Sequence, residues 1–161
     1  MLLELLQGNQ DNQFKIEIVY FATTSIIDSF EDDGLNAKVK AYLTAILQFL
    51  TTKEICHQSF IIAKACLLFL TEIANKLKEL PEFLPQIIRF IFQVFQNFGR
   101  LNTQSMRTLQ EVMEYCKHNV SQDEVNLLRQ FFNDNYNGLD LDCAKSLIQS
   151  LSLSVSAQSS L

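Results

Sequence analysis

Cysteine and histidine have the widest chemical repertoire of the residues in this 161-residue chain, which holds 4 of the first and 2 of the second. Cys116 and His118 stand two apart and Cys56 adjoins His57. Elsewhere such pairings supply a thiolate with its base, or two ligands to a metal. A nucleophile also needs a group that orients the base, and a structural zinc needs four ligands. Neither completion is present. Cys56, Cys66, Cys116 and Cys143 form no CxxC pair, and no third ligand stands near Cys116 and His118. His57, in the first turn of an expected helix, reads as an exposed polar residue, and no serine or aspartate arrangement of a hydrolase accompanies it. No glycine-rich phosphate loop occurs. Each cysteine falls in an apolar helical pattern and reads as a buried free thiol, as in a reducing compartment. The chain therefore reads as a non-enzyme with no cofactor and no metal.

The 13 phenylalanines could in principle stack on single-stranded nucleic acid. They lie on apolar helical stripes instead, and a net charge of −5 opposes phosphate, so core packing and no direct nucleic-acid contact are expected. The run 87 to 98 is cut by Arg89 and Gln93 and is shorter than the ~20 residues of a membrane span. MLLELLQG is too short, and lacks the basic flank, for a signal peptide. A soluble protein of cytoplasm and nucleus, without membrane contact, is the expectation.

With 4 Gly and 2 Pro the chain has too few turn formers for a β-sandwich or barrel, and 48% hydrophobic residues suffice for a sizeable core. An all-α fold follows. Its most apolar part is Pro81 to Phe98, where Leu84, Ile87, Ile88, Ile91, Phe95 and Phe98 make one stripe and Phe90, Phe92 and Val94 widen it. Only Gln86, Arg89, Gln93, Gln96 and Arg100 keep a polar line. Upstream, Met1 to Gln7 reads as the tail of a helix closed by Gly8, whose Leu2, Leu3, Leu5 and Leu6 want an upstream neighbour. The chain is thus expected to start inside a larger protein. Asp11 or Asn12 caps a helix with Phe14, Ile18, Phe21, Ala22, Ser25, Ile26 and Ser29 on its apolar face. After the acidic turn Glu31, Asp32, Asp33, a helix from Asn36 carries Val39, Leu43, Ile46, Leu47 and Leu50. Thr51 and Glu54 have capping-box spacing ahead of a long helix to about Leu77. Asn102 or Thr103 caps the next helix, Ser121 with Glu124 forms a second box, and Asp140 caps a last one through Leu151.

Successive helix starts recur at about 37 to 51 residues, against roughly 40 to 47 for HEAT or armadillo units. The expected architecture is an α-solenoid of about four HEAT/ARM-like antiparallel helix pairs over residues 1–152. The pairs fall near 11–51, 52–99, 102–136 and 140–152, after a partial helix 1–7 and before a frayed serine-rich tail 153–161. A middle repeat sandwiched between two others explains the all-round hydrophobicity of 60–70 and 87–98. Leu147, Ile148 and Leu151 would form an uncapped face at the far end, with self-association as the consequence.

One order of elements carries a resemblance. A first helix ends Phe69, Leu70, Thr71, Glu72, Ile73, Ala74; a short turn follows; then Pro81, Glu82, Phe83, Leu84, Pro85 open the second helix. A later first helix ends Tyr115, Cys116, Lys117, and the acidic tract follows Ile26, Ile27, Asp28, Ser29, Phe30. This order resembles the middle repeats of the importin-β family of nuclear transport receptors, in its transportin-SR and importin-thirteen branch. The chain departs from the family pattern at Met106, Thr108 and Leu109, which are larger than usual, and lacks a proline after Leu151. The resemblance implies cargo binding without catalysis, under control of the GTPase Ran. Ran contact is expected only through repeats missing here, and no contact residue of the family carries over.

In HEAT arrays the second helices face the concave side. That nominates Lys40, Thr44 and Gln48, then Gln86, Arg89 and Gln93, then Asn126, Arg129, Gln130 and Asn133 as a polar, slightly basic protein-binding face, for protein cargo or an assembly partner. The acidic loop Glu31, Asp32, Asp33 is a second candidate, for a basic peptide.

Overall fold

The computed structural model describes residues 2–8, 12–28, 37–135 and 139–159, and every regular element among them is helical. The acidic loop Glu31, Asp32, Asp33 and the turn at Asn137 and Gly138 lie outside the described residues. Ten α-helices are described: α1 (Leu2–Gly8), α2 (Gln13–Asp28), α3 (Ala37–Thr52), α4 (Ile55–Gln58), α5 (Phe60–Glu72), α6 (Ala74–Leu77), α7 (Leu84–Asn97), α8 (Asn102–Cys116), α9 (Gln122–Asp134) and α10 (Leu141–Ser159). Single 3-10 turns at Pro81–Phe83, Gly99–Leu101 and Lys117–Asn119 join the later ones.

The helices stack in two rows. In one, α5 packs between α2 and α8, and α10 continues past α8 by packing on the turn that follows it. Ser154 donates its hydroxyl to the Lys117 carbonyl at 2.9 Å, which fixes that last step. The other row is α3, α7 and α9: α3 touches α7, and Phe92 of α7 lies flat on Phe131 of α9 with ring centres 3.8 Å apart and planes 4° apart. A single apolar core runs between the rows. Helix α7 buries Leu84, Ile87, Ile88, Phe90, Ile91, Phe92, Val94 and Phe95, as the widened stripe predicts. Each such side chain contributes about 1.5–3 kcal/mol on leaving water, so α7 cannot be helical without its neighbours.

Several boundaries follow from local chemistry. Asn12 caps α2 by accepting the Lys15 N–H at 3.2 Å, and Asp140 caps α10 by accepting the Cys143 N–H at 3.1 Å. At Ser121 the Glu124 carboxylate accepts the backbone N–H at 2.9 Å, the reciprocal half of a capping box. Pro81 opens a 3-10 turn and Pro85 sits in the first turn of α7, places where a missing N–H costs nothing.

Five expectations need correction. Thr51 and Thr52 end α3 and do not start a new helix: their hydroxyls donate back to Leu47 at 2.8 Å and Gln48 at 2.6 Å, so no hydroxyl remains to cap residue 54. The long helix to Leu77 is three pieces, broken at Ser59 in an extended conformation (φ −94°, ψ 124°) and at Ile73 (φ −94°, ψ 4°). Neither Asn102 nor Thr103 caps α8; Leu101 holds that position without a side-chain bond. On α2, Ile18 and Phe21 are 56% and 58% exposed while Ile16, Val19, Tyr20 and Thr23 face inward. Finally, the tail does not fray at 153, because α10 runs on to Ser159 with Val155 against the core.

The ends are also better covered than expected. Helix α1 packs on α2 and α3 with Leu3 and Leu5 partly buried, so its apolar face has a partner within the chain. At the other end Leu151 is 1% exposed, whereas Leu147 and Ile148 stay half-buried.

Candidate protein-binding surface

The polar line of α7 is a surface. Gln86, Arg89, Gln93 and Gln96 are all exposed, on the side opposite the buried stripe. On α3, Lys40 and Gln48 are exposed and Thr44 half-exposed, its hydroxyl donating to the Lys40 carbonyl at 2.8 Å. On α9, Asn126, Arg129, Gln130 and Asn133 are exposed, with Gln122 donating to Asn126 at 3.0 Å. All three candidate lines thus point away from the core, on helices of one row. Their charge is not uniform. Among the described residues α3 and α7 bear Lys38, Lys40 and Arg89 and no carboxylate, whereas α9 brings Asp123, Glu124 and Asp134 beside Arg129. The basic character expected of the whole face belongs to its α3 and α7 part.

Arg129 does more than line a face. Its guanidinium reaches across to α10 and donates to the Ser152 hydroxyl at 2.9 Å. Between those helices lies an open groove of about 580 Å3 with Phe132, Ala144, Ile148 and Leu153 as apolar lining and Arg129 and Lys145 as its charged residues. Sequence reasoning named Arg129 and Asn133 but missed Lys145, Gln149 and Ser152. Those three lie within the expected last element 140–152, where only the apolar residues were considered although a spacing of four and three residues marks one helix face.

Three of the four cysteines are buried in the core. Tyr20, Cys56 and Cys66 meet in the core: the Tyr20 hydroxyl lies 3.8 Å from Cys56 Sγ, which lies 3.9 Å from the Phe49 carbonyl. Burial pushes Tyr20 and Cys66 well above their ordinary values. The hydrogen bond from the Cys66 thiol holds Cys56 below the ordinary thiol value. Burial alone pushes Cys116 up to about 11, which keeps it a neutral thiol beside an exposed His118. Among the described residues no three His, Cys, Asp or Glu side chains converge on a point that could hold a metal, and no helix is long and apolar enough to cross a membrane.

Two outcomes follow for the thiols. Cys56, Cys66 and Cys116 are buried and Cys143 is half-exposed, so a thiol reagent at pH 8 should label one position rapidly and all four only after unfolding. Rapid labelling of two or more in the native protein would contradict this packing. The sign of the pH dependence is also fixed. Cys66, Cys116 and Tyr20 ionise more easily when unfolded, so their contribution is intact below their ordinary values, 9.0 for the thiols and 10.0 for the tyrosine, and is lost as pH rises above them, for Cys116 up to about 11. Cys56 acts in the opposite sense. The thermal midpoint should fall between pH 9 and 11, and Cys116→Ala should lose less of its pH 8 midpoint than the parent; equal losses would contradict the assignment.

No protein-family model matches the chain, and neither curated proteins nor solved structures give a match.

Proposed function

We propose that the chain is a protein-binding helical-repeat segment of a nucleocytoplasmic transport receptor, built as a HEAT-like α-solenoid and acting by non-catalytic binding in cytoplasm and nucleus. The observation that carries the binding part is the row α3, α7 and α9. Its helices bury one side against the core and carry uninterrupted polar lines on the other, with cations and no carboxylate on α3 and α7. A surface of that kind favours an acidic protein partner. The transport part rests on the order of elements around Phe69 to Pro85 and its likeness to the importin-β family. A helical-repeat scaffold outside transport uses the same surface and is the alternative.

Proximity labelling with the tagged chain in cells separates the two. A transport segment recovers nuclear-pore components and partners whose recovery changes with Ran loading, and Lys40→Glu/Arg89→Glu lowers that recovery several-fold. Recovery of one stable assembly, indifferent to Ran, establishes the scaffold instead. Equal recovery by wild type and the double variant rejects α3 and α7 as the binding face.

A further inference from the structure

We infer that the groove between α9 and α10 is a second docking site, and that its occupant is an acidic amphipathic helix of a partner protein. The inference rests on the protein-binding reading above but uses different residues. The groove holds about 580 Å3 and opens to solvent. Phe132 and Ala144 form its buried floor, half-buried Ile148 lies between the helices, and Leu153 stands at its edge 65% exposed. An isoleucine and a leucine left in water beside a ready-made trough gain from an apolar cover.

The charges select which cover. Among the described residues Arg129 and Lys145 are the ionised ones that line the groove, and no carboxylate does so. That sign runs against a chain of net charge −5. Arg129 is held at the Ser152 level by its 2.9 Å bond, and one such contact uses one of five guanidinium donors. Ser152 lies two helical turns beyond Lys145 on α10, about 10 Å at 1.5 Å per residue. A helix bearing carboxylates seven residues apart, with leucines three and four residues after the first, sets both carboxylates against cations and its apolar stripe against Ile148 and Leu153. A basic helix of the same shape would place like charges together, which costs affinity and specificity alike.

The test uses the whole chain and a labelled 18-residue alanine-based helical peptide with that Glu and Leu pattern, read by fluorescence anisotropy at low salt. A second peptide carries Lys in place of Glu. The Glu peptide is expected to bind at least tenfold more tightly than the Lys peptide, and Arg129→Glu/Lys145→Glu is expected to invert that order. Both side chains are exposed, so the variant should melt as the parent does. Ile148→Asn should weaken both peptides, provided its melting confirms a folded chain. Lys40→Glu/Arg89→Glu should leave peptide binding unchanged, which separates failure of this groove from failure of the α3 and α7 face. Absence of binding, or a preference untouched by the charge reversal, overturns the proposal. Two other results would overturn it in favour of a different occupant. A wild-type dimer abolished by Arg129→Glu/Lys145→Glu in sedimentation would seat a second copy in the groove. Binding of phosphatidylcholine/phosphatidylserine vesicles lost in the same variant would seat a lipid surface there.

Discussion

Replacing Phe131 by alanine is expected to lower stability by about 3–5 kcal/mol, the range for a large buried aromatic cut to a methyl group. Phe131 lies flat on Phe92 at 3.8 Å, meets Phe95 edge-on at 5.3 Å and touches Phe132 at 6.1 Å. Through Phe92 and Phe95 α9 is held to α7, so the cavity opens at a seam between successive elements of one row. Against the ~5–15 kcal/mol typical of a folded domain, that loss is a large share. Phe131→Leu, closer in volume, should cost less than about half as much. Urea unfolding of the three proteins reads both values from the midpoints. A cost under about 1 kcal/mol for alanine would mean that the seam collapses freely and that α7 and α9 are not fixed to each other.

The second large effect belongs to the other row. Thr71 of α5 and Thr108 of α8 place their hydroxyl oxygens 2.8 Å apart, and both oxygens reach the Leu67 carbonyl, at 2.9 and 3.2 Å. Gln104 adds a donor to Thr108 at 3.2 Å. Thr108 is fully buried, so deleting one hydroxyl strands polar atoms out of water. Thr71→Val and Thr108→Val should each cost about 1–3 kcal/mol, the charge for leaving a buried partner unmet. The double variant removes both hydroxyls and keeps the shape, so its cost should fall short of the sum by about 0.5 kcal/mol or more. Additive costs would show that the two threonines do not act as one link between α5 and α8.

Much of this was legible in the sequence wherever one signal had no competitor. The α7 stripe was readable because Gln86, Arg89 and Gln93 leave only one narrow face for water. Asn12, Asp140 and the Ser121–Glu124 pair were readable because short polar side chains at those places have few other tasks. The face of α2 was misread for a physical reason. That helix mixes apolar and polar residues around its circumference without one dominant stripe, and its inward Tyr20 and Thr23 carry hydroxyls that must be satisfied within the core. Each finds a partner inside: Tyr20 lies against Cys56, and Thr23 shares a hydrogen bond of 2.8 Å with Tyr42. The break at Ser59 was hidden because it redirects the chain without glycine or proline. It lets Cys56 enter the core while Phe60 meets Phe98 edge-on at 5.6 Å. The serines of α10 looked like a frayed tail because serine is a weak helix former. Tertiary contacts override that weakness: Ser154 bonds to the Lys117 carbonyl while Val155 packs against the core.

The polar line of α7 is the centre of the functional reading, and Arg89 is its one charge. An exposed arginine on a surface contributes little to folding, whereas a buried one is costly to leave unpaired. The most direct measurement is therefore the thermal and urea stability of Arg89→Glu beside its binding to the partners recovered by the parent chain. The account predicts stability within about 0.5 kcal/mol of the parent, with binding of an acidic partner clearly weakened. Unfolding of the domain by this one substitution would show that Arg89 is an internal ion-pair member, and the α3 and α7 face would then have to be abandoned as a binding surface.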